Sequence, residues 1–163
     1  MAFVHSQGWQ APAGILKSVS GTGSRYGALA IRFSGPDERD LVGDFFTTAT
    51  DFSSAGDGEP VVLIGHGNPI DPALAAFARM SLGPARIQRK HDGMFASFEL
   101  DNGDPIDAAI IELIHAGAFR WSSGSRADLV ERKSNGEITR WPVVEVSLTP
   151  TPMEPRLPKI HEL

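Results

Sequence analysis

The sequence contains no cysteine, and this absence removes several classes of protein at once. Disulfide frameworks, cysteine-ligated zinc, iron–sulfur clusters and thiol nucleophiles all require that residue. No stretch approaches the roughly 20 consecutive apolar residues that a membrane-spanning helix needs. Basic residues are in the minority, with 15 Lys and Arg against 20 Asp and Glu and a formal charge of −5. We therefore expect no binding to nucleic acid or to a membrane, because contact with phosphate groups requires a basic surface.

The 163 residues are rich in turn formers instead, with 17 glycines and 12 prolines. A chain of this length forms one domain with its own core. Frequent turns favour many short strands over long helices. Residues 1–7 lack the basic and apolar regions of a signal peptide, so the protein is expected to act in the compartment where it is made.

The order of apolar and turn residues predicts three regions. Residues 1–13 show no period and are interpreted as a loose leader, and residues 14–149 form the folded domain. Residues 150–163 contain four prolines, which exclude helix and sheet interior, so this tail is expected to lie extended after the domain.

Short apolar runs bounded by Gly, Pro, Asp or Asn predict strands along most of the domain. These runs cover residues 13–20, 26–33, 59–65, 85–91, 94–100, 119–125, 128–132, 138–141 and 143–148. Two dipeptides, Asp92-Gly93 and Asn135-Gly136, predict two-residue hairpin turns. The segment 40–52 mixes polar and aromatic residues and gives no clear prediction.

One helix has clear boundary signals. Asp104 is a candidate N-cap, Pro105 suits the first helical position, and Gly117 follows the last apolar residue at helical spacing. A weaker helix is predicted over residues 71–80. The fold class expected is α+β and mostly β, as a small β-barrel or strongly bent sheet flanked by a few helices.

Three segments carry side chains that could perform chemistry. His66 stands between two glycines after a buried strand, where an imidazole could act as a general base or lie in a plain turn. The run 121–126, WSSGSR, offers a serine nucleophile, and Gly124 would let the backbone approach a substrate; an ordinary loop is the alternative. Glu145 lies in an apolar strand, so it needs a partner unless it faces solvent from a sheet edge.

In this order along the chain, the segments resemble the prohead (capsid maturation) serine proteases of tailed phages, which are similar to the herpesvirus assemblins. The resemblance runs from about residue 28 to residue 155. It rests on four motifs: DLVGDFF at 40–46, VLIGH at 62–66, GAFRWSSGS at 117–125 and EVSLTPTP at 145–152. Assemblins have a second histidine where this chain has Glu145, whereas phage members tend toward an acid there.

The resemblance implies an assemblin-like β-barrel and a serine endopeptidase. Ser122 would be the nucleophile, His66 the general base, and Glu145 the group that orients the imidazole. The substrates implied are capsid and scaffold proteins and the protease's own chain, cleaved inside the assembling prohead in the cytoplasm of the infected bacterial host. No metal or cofactor is implied. Main-chain N–H groups are expected to hold the oxyanion, with Ser123, Gly124 and Arg126 as oxyanion or substrate-contact candidates.

Self-association and self-cleavage follow from the same resemblance. Assemblin-like proteases act as dimers, and Trp9, Phe45, Phe46 and Trp141 are the candidates for an exposed apolar interface. The segment after residue 149 could be a site of self-cleavage, a tether to a scaffold-like extension, or an ordinary disordered terminus.

Two other classes of function stay open. A catalytically silent β-barrel, serving as a scaffold or virion structural protein, predicts that His66, Ser122 and Glu145 do not converge in space. A metal-dependent hydrolase could use His66, Asp71 and His91, although two turn residues and a helix cap explain the same trio.

Overall fold

A computed structural model describes residues 3–6, 23–53, 58–67 and 81–163. Within these ranges the protein is α+β and mostly β. The strands are β1 (Phe3–His5), β2 (Gly23–Arg32), β3 (Phe45–Asp51), β4 (Val61–Ile64), β5 (Arg86–Lys90), β6 (Gly93–Asp101), β7 (Arg120–Arg126), β8 (Glu131–Arg132), β9 (Glu137–Arg140), β10 (Glu145–Thr149) and β11 (His161–Glu162). Helix α1 spans Pro105–His115, and a turn of 3-10 helix spans Gly65–Gly67. Neither described helix has the length and apolar character to cross a membrane.

The described strands form three sheets, and among them no closed barrel is present. The first has the order β1-β7-β10-β4, the second β11-β2-β6-β5, and the third β3-β9-β8. In the first sheet β7 and β10 are antiparallel, whereas the outer strands β1 and β4 run parallel to their neighbours. This mixed sheet brings three distant parts of the chain side by side.

Local signals placed helix α1 correctly. The Asp104 carboxylate accepts hydrogen bonds from the N–H groups of Ile106 and Asp107, at 2.8 and 3.0 Å, as an N-cap does. The helix ends where Gly117, at φ +70°, donates its N–H to the Ile114 carbonyl.

Both predicted hairpins are present, but each turns one residue earlier than predicted. The hairpin near Asn135-Gly136 joins β8 to β9, but its turn lies at residues 134–135, where the Gly136 N–H donates to the Lys133 carbonyl at 3.0 Å. The first hairpin turns one residue earlier than predicted, at residues 91–92, because Gly93 already pairs with Lys90 in the ladder. A Cβ at Gly93 would lie 1.9 Å from the Ile31 carbonyl oxygen, so this glycine is required by the close approach of β2 rather than by the turn.

Several other predicted segments differ from the structure or lie outside the described residues. The leader is not loose throughout, since residues 3–5 form β1 against β7. The unassigned segment 40–52 contains β3, and only the last two residues of the run 128–132 form a strand. The predicted strand 13–20 and the predicted helix 71–80 lie outside the described residues.

The core continues past the boundary predicted at residue 149. Leu157 and Ile160 are buried, and β11 pairs with β2. The Ile160 N–H donates to the Phe119 carbonyl, and Arg120 Nε donates to the Leu157 carbonyl. The prolines keep this segment out of the sheet interior, but they do not prevent its apolar side chains from packing.

The aromatic residues expected on an interface are mostly core residues. Phe45, Phe46 and Trp141 are buried, so they are not an exposed patch. Phe46 and Trp141 pack in one cluster with Ile31 and Met94 of the second sheet. Trp9 lies outside the described residues. Among the described large apolar residues, the exposed ones are Leu41, Val42, Met153 and Leu163.

Candidate active site

The register of the first sheet places the candidate residues on one face. Ser122 on β7 stands directly opposite Ser147 on β10, and Gly124 stands opposite Glu145. Residues directly opposite each other in an antiparallel pair point to the same side. The Ser122 and Glu145 side chains therefore lie on the same face of the sheet.

His66 reaches this face through a tight turn after β4. Strand β4 ends with Ile64 beside Leu148, and Gly65, His66 and Gly67 all have positive φ. His66 itself sits at φ 58° and ψ 26°, a left-handed conformation that costs a non-glycine residue about 1–2 kcal/mol. Backbone strain of this kind clusters at functional sites.

The backbone and the ring of His66 are both held by β10 and β7. The His66 N–H donates to Ser147 Oγ at 3.0 Å. Its Nδ1 lies 2.5 Å from Glu145 Oε1, and its Nε2 lies 3.0 Å from Ser122 Oγ. Because an ionised carboxylate only accepts hydrogen bonds, Nδ1 carries the proton and Nε2 is the acceptor that faces the serine hydroxyl.

Glu145 is completely buried, so the interpretation of a solvent-facing edge residue is wrong. Strand β10 is an inner strand of its sheet. Burial raises the pKa of the Glu145 carboxyl, but the polar contacts with His5, His66 and Ser147 outweigh it and hold the pKa below its usual value. The group is therefore a carboxylate at neutral pH, as the tautomer of His66 requires.

Gly124 makes room for this carboxylate. A Cβ at position 124 would lie 2.0 Å from Glu145 Oε1 and 2.8 Å from its Cδ. We expected this glycine to allow close approach of a substrate, but here the space above it is taken by the Glu145 side chain. Its carbonyl is also engaged, since it accepts the Val144 N–H at 3.0 Å.

The other serines of the cluster have different surroundings from Ser122. Ser125 is fully buried, and its Oγ donates to the Pro142 carbonyl at 2.6 Å. Ser123 alternates to the opposite side of β7 from Ser122. The register thus selects Ser122 as the hydroxyl that meets His66.

Arg126 is engaged with a carboxylate of its own. Its guanidinium donates to both oxygens of Asp128, at 3.2 and 2.7 Å. A role in holding the oxyanion would require this ion pair to open.

Two residues of the site were not found from the sequence. Ser147 Oγ donates to Glu145 Oε2 at 2.7 Å, and His5 Nε2 lies 3.5 Å from Glu145 Oε1. Ser147 had a usable signal, because a residue two positions along a strand shares the face of Glu145. His5 had none, because it reaches the site only through the pairing of β1 with β7.

A pocket adjoins Ser122. Its walls include Ser122 and Ser123, and the apolar wall residues are Ala30, Ile31, Phe45, Phe46, Trp121, Met153 and Leu157. The exposed side chains of Leu41 and Met153 belong to neighbouring segments, joined where the Leu41 N–H donates to the Met153 carbonyl at 3.0 Å. This pocket offers apolar contacts close to Ser122.

The structure does not bring together His66 and His91, two of the three residues considered as metal ligands. His66 faces Glu145 and Ser122, while His91 is exposed in the β5–β6 turn beside Asp92. Asp71 lies outside the described residues. Within the described ranges, no group of three or more His, Asp or Glu side chains could hold a metal ion.

Comparisons with known proteins were made against family models, curated proteins and solved structures. None of the three found a match. The functional interpretation therefore depends on the geometry of the site and on the motifs in the sequence.

Proposed function

We propose that the protein is a serine endopeptidase with Ser122, His66 and Glu145 as its catalytic residues. The observation that carries the proposal is the unbroken chain of contacts from Ser122 Oγ to His66 Nε2, and from His66 Nδ1 to Glu145. A catalytic triad is a nucleophile, a base and an orienting carboxylate that contact one another in this order. It is recognised by that geometry and by the role of each group, not by the fold.

The mechanism is acyl transfer in two halves. Ser122 Oγ attacks the scissile carbonyl carbon while His66 Nε2 takes the hydroxyl proton. The tetrahedral intermediate collapses when the C–N bond breaks, and the proton on Nε2 goes to the leaving amine. Water then attacks the acyl-serine with His66 as base, which releases the new carboxyl end and restores the Ser122 hydroxyl.

Burial of Glu145 strengthens its effect on His66. When Nε2 takes the proton, the imidazolium carries a positive charge next to a carboxylate that is shielded from water. Attraction between such charges is stronger in a low-dielectric interior than in solvent. The carboxylate also holds the ring so that Nε2 stays directed at Ser122.

The substrate class and setting are proposed from the motifs. The order of the four motifs supports a protease of the prohead type with an assemblin-like barrel, acting on capsid and scaffold proteins and on its own chain inside the prohead. The pocket beside Ser122 gives such a chain apolar contacts. Self-association remains a prediction. Phe45, Phe46 and Trp141 do not support it, because their side chains are buried.

A silent scaffold is the weaker candidate. It predicts that the three side chains do not converge, whereas His66 lies within hydrogen-bonding distance of both Ser122 and Glu145. A scaffold would also have no reason to retain His66 in a strained backbone conformation.

An active-serine probe tests the proposal without knowledge of the substrate. A fluorophosphonate, which phosphonylates serines activated by a base, is expected to add one probe group per chain. Peptide mapping by mass spectrometry should find the group on Ser122. Labelling should disappear in His66→Ala, in which Ser122 remains but its base is lost. Equal labelling of wild type and His66→Ala would contradict an activated serine.

Replacing Met153 by serine is expected to weaken substrate binding. The change removes an apolar contact from the pocket wall, so KM for peptide cleavage should rise about tenfold while kcat changes little. Leu163→Ser is the matched control, since Leu163 is exposed at the far end of the chain and is not a wall residue of this pocket. An equal effect of the two changes would remove the pocket from substrate binding.

A further inference from the structure

His5 brings the N-terminal strand into contact with the catalytic carboxylate. It is the last residue of β1, which runs parallel to β7 with Val4 opposite Ser125 and His5 opposite Arg126. Only 5% of its surface is exposed. Its Nε2 lies 3.5 Å from Glu145 Oε1, the same oxygen that His66 Nδ1 contacts.

Each partner of Glu145 comes from a different part of the chain. Ser147, on the same strand, donates to Oε2. His66, which follows β4, and His5, which ends β1, both contact Oε1. A buried carboxylate stays ionised only while donors surround it. Loss of one of these polar partners weakens the preference for the ionised form and frees the carboxylate to shift away from His66.

We propose that His5 is a positioning residue of the active site, which holds the Glu145 carboxylate in place for His66. Strand β1 then contributes to activity because it carries His5. This rests on the proposed function of the triad. His5 does not meet Ser122 or a substrate in the proposal; it acts through Glu145. Docking of β1 onto β7 is then required for full activity and not only for stability.

The test separates donor chemistry from packing. His5→Leu keeps the apolar volume and removes the donor, and its kcat is expected to fall about 10- to 100-fold with KM little changed. His5→Gln places an amide N–H near the position of Nε2 and should recover kcat to within about threefold of wild type. A packing role alone predicts that both variants lose thermal stability and that neither lowers kcat.

Two controls accompany these variants. His91→Leu removes an exposed histidine in the β5–β6 turn and should leave kcat unchanged. If His5→Leu does not fold, His5→Asn replaces it, because the shorter side chain keeps an amide but withdraws it from Glu145. A kcat of His5→Asn equal to that of His5→Gln would overturn the proposal.

A second readout does not depend on proteolysis. The proton between His66 Nδ1 and Glu145 should give a downfield proton NMR signal that is absent in His66→Ala. The signal is expected to shift or broaden in His5→Leu and to return in His5→Gln. An unchanged signal and unchanged kcat in His5→Leu would refute the role of His5 and leave the endopeptidase intact. Absence of any cleavage in the wild type would refute the endopeptidase, while the signal would still test His5.

Discussion

Replacing Ser122 by alanine is expected to reduce kcat/KM for peptide cleavage by about 10⁴- to 10⁶-fold, and His66→Ala should cost about as much. The two residues act as a unit, because the serine hydroxyl is a poor nucleophile until a base takes its proton. Ser122→Ala removes only the oxygen that meets His66 Nε2, so stability should change by about 1 kcal/mol or less. The measurement is steady-state cleavage of one peptide by all variants, with thermal unfolding in parallel.

Neighbouring serines provide the controls for this prediction. Ser123→Ala changes the opposite side of β7 and removes only a hydroxyl from the pocket wall, so activity should fall no more than about tenfold. Ser125→Ala breaks the buried contact with the Pro142 carbonyl, so it should cost about 1–3 kcal/mol of stability while retaining the nucleophile. Full activity of Ser122→Ala combined with loss in Ser123→Ala would mean that the nucleophile is misassigned.

Adding one methyl group at Gly124 is the second change with a large expected effect. In Gly124→Ala the new Cβ would lie 2.0 Å from Glu145 Oε1, so the carboxylate must leave its position against His66. We expect kcat to fall at least 10²-fold and the free energy of unfolding to drop by about 1–3 kcal/mol. Both are measurable on one purified variant, by peptide cleavage and by chemical unfolding.

Gly35→Ala is the matched control for Gly124→Ala. A Cβ at position 35 meets no other atom within 4 Å, so both activity and stability should stay close to those of the wild type. If Gly124→Ala were as active and as stable as Gly35→Ala, Glu145 could not lie above residue 124, and its role in orienting His66 would be contradicted.

Sequence signals found the elements whose causes are local. The limits of α1 follow from Asp104, Pro105 and Gly117, which act within one turn of helix. Strand β2 follows from an apolar run between turn residues. Elements set by distant pairing were missed, because β1 has only three residues and shows no period, and because β3 owes its place to β9.

The same division holds for the site. The motifs pointed to His66, Ser122 and Glu145 because each follows or lies within a short, well-marked strand. The positions of Gly124 and His5 at the site depend on strand register, which places the Glu145 side chain above one and beside the other. Register between strands that are distant in the chain is not visible in a single sequence. The sequence therefore did not show that Glu145, rather than a substrate, lies above Gly124, or that His5 lies beside Glu145.

Cleavage of a diverse peptide mixture tests the central claim most directly. Wild-type protein and Ser122→Ala would be incubated with the same mixture, and the new peptide ends identified by mass spectrometry. The wild type should generate new N-termini around a common sequence pattern, and Ser122→Ala should generate none of them. A wild-type protein that cleaves nothing at any pH or concentration tested, or a Ser122→Ala protein that cleaves the same bonds at the same rate, would contradict the claim that Ser122, His66 and Glu145 form the active site of an endopeptidase.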